Sequence, residues 1–237
     1  MKFVRRYERN QDALSEDECL ILQKAKVAVV GCGGLGGFII EHLGRLGVGS
    51  ITAVDDDVFD ETNLNRQLLS TEALIGKPKA EAAAERMKAI NSEVKLSGLV
   101  CRMNSENAKE ILGGHDIVMD ALDNIESRLL LEDTCQTLGI PLIHGAIGGW
   151  YGQVAVVMPE KPLLNKLYGG AGDKGLEEEM GNPSFTPGVI AGIQVSECVK
   201  VLLNKEESLK GRILTVDLES LEFDIIDIEV IEQEEQK

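Results

Sequence analysis

The side chains best suited to chemistry in this sequence are suited to holding a polyphosphate. Gly31-Cys32-Gly33-Gly34-Leu35-Gly36 carries the spacing Gly31-x-Gly33-x-x-Gly36, and an acidic run, Asp55-Asp56-Asp57, follows it. Glycines let a backbone approach phosphate closely, a helix amino end offers unpaired N–H groups to the anion, and a carboxylate about twenty residues on can hold ribose hydroxyls. Two cations come next, in Asn63-Leu64-Asn65-Arg66-Gln67 and Lys77-Pro78-Lys79. Arg66 and Lys79, with helix-end N–H groups, balance a triphosphate better than a nicotinamide dinucleotide; solvated surface charge is the plainer alternative. A further carboxylate lies in Asp120-Ala121-Leu122-Asp123-Asn124. Beside a triphosphate, Asp123 would act through a hard cation, with Mg²⁺ the natural choice. Otherwise Asp123 or Asn124 caps a helix.

These residues need a scaffold that delivers them to one place. Val27-Ala28-Val29-Val30 reads as a strand running into the glycines, with a helix from about Leu35 to Leu46 and a second strand, Ser50 to Val54, ending on Asp55. Pro78 suits the first position of a helix over Ala80 to Ile90, which puts Lys79 in its first turn. A strand at Asp116 to Met119 precedes Asp123, and a helix from Ile125 to Leu138 follows. In an open α/β sheet, ligands sit outside the carboxyl ends of strands, so Asp55 and Asp123 should share one crevice. The expected fold is α/β: a Rossmann-like, open, mostly parallel sheet with helices on both faces. An antiparallel C-terminal extension is expected from Arg212 to Leu218 and Glu222 to Val230.

The motifs occur in a recognisable order. Arg6-Tyr7-Glu8-Arg9-Asn10, Gly31-x-Gly33-Gly34-x-Gly36, Asp55-x-Asp57, Asn63-Leu64-Asn65-Arg66-Gln67, Lys77-Pro78-Lys79 and Asp123-Asn124-x-x-x-Arg128 run as in the HesA/MoeB/ThiF family, relatives of ubiquitin-activating enzymes. The resemblance extends from about Arg5 to Leu203. It implies ATP-dependent adenylation of a carboxylate, usually the C-terminal glycine of a ubiquitin-like sulfur-carrier protein. It also implies a homodimer in which Arg9 crosses to the partner's nucleotide. Residue by residue it assigns Arg9, Arg66 and Lys79 to the phosphates, Asp123 to Mg²⁺ and Asp55 to the ribose. Gly31, Gly33, Gly34, Gly36, Asp57, Asn63, Gln67 and Asn124 complete the expected ATP site. Many relatives hold zinc with two C-x-x-C pairs. Here Cys19, Cys32, Cys101, Cys135 and Cys198 form none, so no zinc is expected. Cys32 and Cys198 read as small core hydrophobes rather than nucleophiles.

One domain is expected over residues 1–237, with an N-terminal arm and helix over 1–25, opened by a capping box at Ser15-Glu16-Asp17-Glu18. Residues 159–187 lack periodicity and read as a mobile crossover loop, the segment that admits the carrier's tail in relatives; 232–237 reads as a disordered tail. With no apolar run near eighteen residues and no apolar signal core, the expected location is cytoplasmic. A net charge of −16 argues against nucleic acid or an anionic membrane as partner. His144 reads as a satisfied core histidine in preference to a general base, and Trp150 either lines a carboxylate channel or covers the sheet edge. The competing functions are adenylation of a small-molecule carboxylate, activation of a carboxylate on a tRNA nucleoside (which the charge disfavours), and an NAD-dependent oxidoreductase or nucleotide-binding module without turnover.

Overall fold

The computed structural model describes residues 5–168 and 180–228. After a 3₁₀ turn at Arg5–Asn10, the described elements are α1 (Glu16–Leu22), β1 (Lys26–Val30), α2 (Gly34–Leu46), β2 (Ser50–Val54), α3 (Lys79–Ile90), β3 (Lys95–Leu99), α4 (Ala108–Leu112) and β4 (Ile117–Asp120). There follow α5 (Ile125–Leu138), β5 (Leu142–Gly148), β6 (Tyr151–Val157), α6 (Leu164–Tyr168), α7 (Phe185–Leu202), β7 (Arg212–Asp217) and β8 (Glu222–Asp227). Eight strands form one sheet in the order β3-β2-β1-β4-β5-β6-β7-β8. Pairing is parallel through β5 and antiparallel from β6 outward.

Burial explains the strand sequences. Along β1, Val27 and Val29 pack into one core while Ala28 and Val30 pack into the other, so a strand covered on both faces is apolar throughout. The first core lies under α2, α3 and α7; the second lies under α4, α5 and α6. Chain order reverses at β1, with β2 on one side and β4 on the other, which opens a crevice at their carboxyl ends. Among the described residues only α7 is long and apolar enough to cross a bilayer, with mean hydropathy 1.2. It is a core helix, with Ile190, Ala191, Val195 and Cys198 buried against α2 and the sheet.

One boundary differs from expectation. Pro78 is the N-cap of α3, with extended ψ of 131°, and Lys79 is the first helical residue. The turn from Asp55 to Pro78 folds back on itself through a Val58–Pro78 bridge, which holds Pro78 outside the helix. Helix α7 begins at Phe185, with Pro187 in its first turn, where no N–H is required. Asn104 accepts from the backbone N–H of Glu106 and Asn107, which makes Ser105–Asn107 a turn ahead of α4 at Ala108. The capping box of α1 is present as expected, with Ser15 and Glu18 bonded reciprocally. The expected crossover loop contains α6, and Glu132 fixes its start: this buried carboxylate accepts the N–H groups of Leu163 and Leu164 at 2.6 Å and of Asn165 at 3.1 Å. Residues 169–179 of that loop and the expected tail at 232–237 lie outside the described residues.

Candidate active site

A cleft of about 570 Å³ opens at the carboxyl ends of β1, β2 and β4. Gly31 leaves β1 with φ of +96°, and a Cβ there would stand 2.3 Å from the carbonyl oxygen of Ala121. A Cβ on Gly36 would stand 1.9 Å from the carbonyl oxygen of Gly31. These two glycines shape the loop, and Gly33 and Gly34 line the cleft beside Gly31. Gly33 is the N-cap of α2 and supplies no capping side chain, so the first-turn N–H groups remain available to an anion. Asp55 locks the loop. One of its oxygens accepts from Cys32 N–H at 2.6 Å and the other from Asp57 N–H at 2.8 Å. Burial raises its pKa, against those two bonds.

The remaining expected residues divide by position. Arg66, Gln67, Lys79, Asp57, Asp123 and Asn124 line the same cleft. Lys79 is nearly buried, and its ammonium lies 3.0 Å from the exposed carboxylate of Asp57. Arg66 is steadied at the rim by the carbonyl of Thr62 and the side chain of Asn65, each at 2.9 Å. Gln67 is 7% exposed, and its carbonyl oxygen has no partner in the structure. Asn63 is not in the cleft wall; its side-chain oxygen accepts from the N–H of Asp60 and closes a capping box. Arg9 is exposed on the arm, which is anchored elsewhere. Its neighbour Tyr7 is buried against Gly47 and bonded to Asn91, at the far ends of α2 and α3. The length of α2, about 20 Å at 1.5 Å per residue, separates that anchor from the glycine loop.

The two readings of Asp123-Asn124 also separate. Asn124 is the N-cap of α5, accepting from Ser127 N–H at 2.9 Å, and leaves Asp123 exposed to the cleft. No three His, Cys, Asp or Glu side chains gather into a metal cage among the described residues. Asp123, facing a cleft also lined by Asp55, Asp56 and Asp57, fits Mg²⁺, which takes one or two protein carboxylates and fills its shell with phosphate oxygens and water. Sequence reasoning missed Cys101, Arg102 and Met103, which follow β3, and Asn182, which precedes α7. The strand-end rule that located Asp55 and Asp123 applies equally to β3 and would have found the first three.

The family model described as ThiF family matches residues 7–236. The chain belongs to the ThiF family. It is 38% identical over 208 residues to the SAMP-activating enzyme E1 of Haloferax volcanii, a match covering 86% of this chain and 77% of that one. It is 37% identical over 207 residues to the sulfur carrier protein adenylyltransferase of Thermus thermophilus, covering 83% and 76%. The solved structure of E. coli MccB with MccA superimposes with a TM-score of 0.80 at 21% identity, covering 95% of this chain and 72% of that one, and supports the fold. Relatives at these identities are named adenylyltransferases, which places this ThiF-family chain among the adenylating enzymes and implies use of ATP.

A second cleft, of about 510 Å³, adjoins the first. Arg128 and Ile147 line both, and the second is otherwise walled by residues such as Ile125, Gln153, Leu167 and Tyr168. Behind that shared wall His144 is fully buried, with Nδ1 at 2.7 Å from Asp120 and Nε2 at 3.0 Å from the Tyr168 hydroxyl. Burial holds its pKa below the usual histidine range, so it is a neutral, satisfied core histidine. Burial pushes the Tyr168 hydroxyl up to about 12. Trp150 lines neither cleft and packs against Phe185, ring centroids 4.5 Å apart. Cys32 and Cys198 are fully buried with thiol pKa values raised by desolvation, as core hydrophobes should be.

Proposed function

We propose that this ThiF-family enzyme adenylates the C-terminal glycine carboxylate of a ubiquitin-like sulfur-carrier protein. The carboxylate oxygen attacks the α-phosphorus of ATP, the α–β phosphoanhydride bond breaks, and pyrophosphate leaves. The nucleophile is already an anion, so no general base is required of the protein. Its task is to hold two anions together and neutralise charge, which is electrostatic preorganisation. Arg66 and Lys79 take the phosphates, Asp55 the ribose, and Asp123 would hold a Mg²⁺ that screens the phosphate oxygens. The observation that carries this reading is the convergence of Arg66, Lys79 and Asp123 on one cleft beside an uncapped helix amino end. An apolar second cleft sharing the Arg128 wall supports an acyl group approaching from that side.

A homodimer completes the proposal. The family resemblance gives Arg9 to a partner's nucleotide, and the anchoring of nearby Tyr7 at the far ends of α2 and α3, away from the glycine loop, supports a contribution made in trans. Five cysteines without a disulfide suit a reducing compartment, in keeping with a cytoplasmic enzyme. The test is ATP–pyrophosphate exchange with a carrier ending in Gly-Gly, sought among small proteins encoded beside this one. Asp123→Ala should abolish exchange and leave the fold intact. Exchange near the wild-type rate would overturn the metal assignment, and stabilisation by NAD but not ATP in a thermal-shift assay would overturn adenylation itself.

A further inference from the structure

Asp123 reaches the cleft from a loop whose backbone is clamped. The N–H of Leu122 donates to Asp120 Oδ1 at 3.0 Å, and the carbonyl of Leu122 accepts from Arg128 Nη2 at 2.5 Å. Both backbone polar groups of the residue before Asp123 are therefore held by buried side chains, since Asp120 is 0% and Arg128 3% exposed. The clamp has its own support. Arg128 Nη1 donates to the Tyr168 hydroxyl at 3.4 Å, with the guanidinium 5.8 Å from the ring centroid. Gln153 Nε2 donates to the same oxygen at 2.5 Å. Neutral His144 gives its Nδ1 proton to Asp120, so its Nε2 accepts the hydroxyl proton of Tyr168. The hydroxyl thus uses its one donor and both acceptors.

We propose that Tyr168 is a positioning residue for the metal-side carboxylate: a hydrogen-bond chain from Tyr168 in the second cleft's wall, through Arg128 to the Leu122 carbonyl, fixes Asp123. Arg128 lines both clefts, so the network connects them directly. Tyr168 and Gln153 stand on the acceptor side, and Asp123 stands on the nucleotide side. The inference rests on the adenylation reading, because it needs Asp123 to hold a cation.

The test uses the full chain, ATP and Mn²⁺ as a paramagnetic substitute for Mg²⁺, with bound metal read by electron paramagnetic resonance. Tyr168→Phe keeps the ring and removes the hydroxyl. It should weaken Mn²⁺ in the ATP complex roughly fivefold, the effect of one lost hydrogen bond. ATP affinity in EDTA should stay within about twofold, since the phosphate cations are untouched. In an Asp123→Asn background, Tyr168→Phe should have no further effect on Mn²⁺, because it acts through Asp123. A lower melting temperature with unchanged Mn²⁺ affinity would make Tyr168 structural only and overturn the proposal. So would a parallel loss of Mn²⁺ and metal-free ATP binding, or additive losses in the double variant. If the wild-type chain holds no Mn²⁺ with ATP, the adenylation reading falls and this inference with it. A Tyr168 effect absent from an ATP-competent chain sinks this inference alone.

Discussion

Lys79→Met deletes an ammonium and keeps a stem of similar length, so it isolates charge from packing. The side chain is 8% exposed, at the first position of α3, where the helix dipole disfavours a cation, and Asp57 is its ion-pair partner among the described residues. Asp57 is 71% exposed and returns to water when the ammonium goes, so little stability is lost. The loss falls on the phosphates. A unit charge about 4 Å from a phosphate oxygen contributes about 4 kcal/mol at an effective dielectric of 20, and a charge-assisted hydrogen bond contributes about 1.5–3 kcal/mol net. Taking the lower range, kcat/KM for ATP–pyrophosphate exchange should drop between about tenfold and about 150-fold. The melting temperature of the ligand-free protein should move by no more than about 2 °C. Exchange within threefold of wild type would refute the placement of a phosphate beside Lys79. A large loss of ligand-free stability would show instead that the Lys79–Asp57 pair is structural.

Gly36→Ala should prevent folding or cost several kcal/mol in chemical denaturation, because its Cβ would lie 1.9 Å from a backbone oxygen of Gly31; a soluble variant of wild-type stability would contradict the loop geometry. Glu132→Gln should lower the melting temperature by about 4–8 °C, since one of the two oxygens that accept the three N–H groups opening α6 becomes an amide donor, costing about 2 kcal/mol. His144 is buried neutral with a pKa below 6.5, so the unfolded chain takes up its proton first as pH falls. Its contribution to stability is present above about pH 6.5 and declines as pH drops below that value; His144→Gln should flatten the slope of unfolding free energy between about pH 6.5 and 5. An unchanged slope would mean that His144 titrates normally in the folded state.

How much the sequence revealed depends on how local each signal is. The glycine loop, α2, β2 and the capping box of α1 were legible because strand alternation, glycine spacing and cap residues act within a few positions. Asp55 and Asp123 could be placed together because strand ends of a doubly wound sheet meet by topology, so two distant segments needed no pairwise evidence. Asn63 shows the limit. Arg66 and Gln67 of its motif line the cleft, but its amide serves a turn seen only once Asp60 N–H is located in space. Arg102 follows a strand end and was open to the same rule, whereas Asn182 carries no motif and reaches the cleft through a backbone path that composition does not encode. The Asp120–His144–Tyr168 network joins residues 24 positions apart at each step, and nothing in the local pattern pairs them.

A crystal structure of the chain with α,β-methylene-ATP and Mg²⁺ would test the central claim most directly. The triphosphate should lie over the amino end of α2 with Arg66 and Lys79 on its oxygens, and Mg²⁺ should bridge those oxygens to Asp123. A nucleotide bound with its phosphates outside this cleft, or a metal held without Asp123, would contradict it.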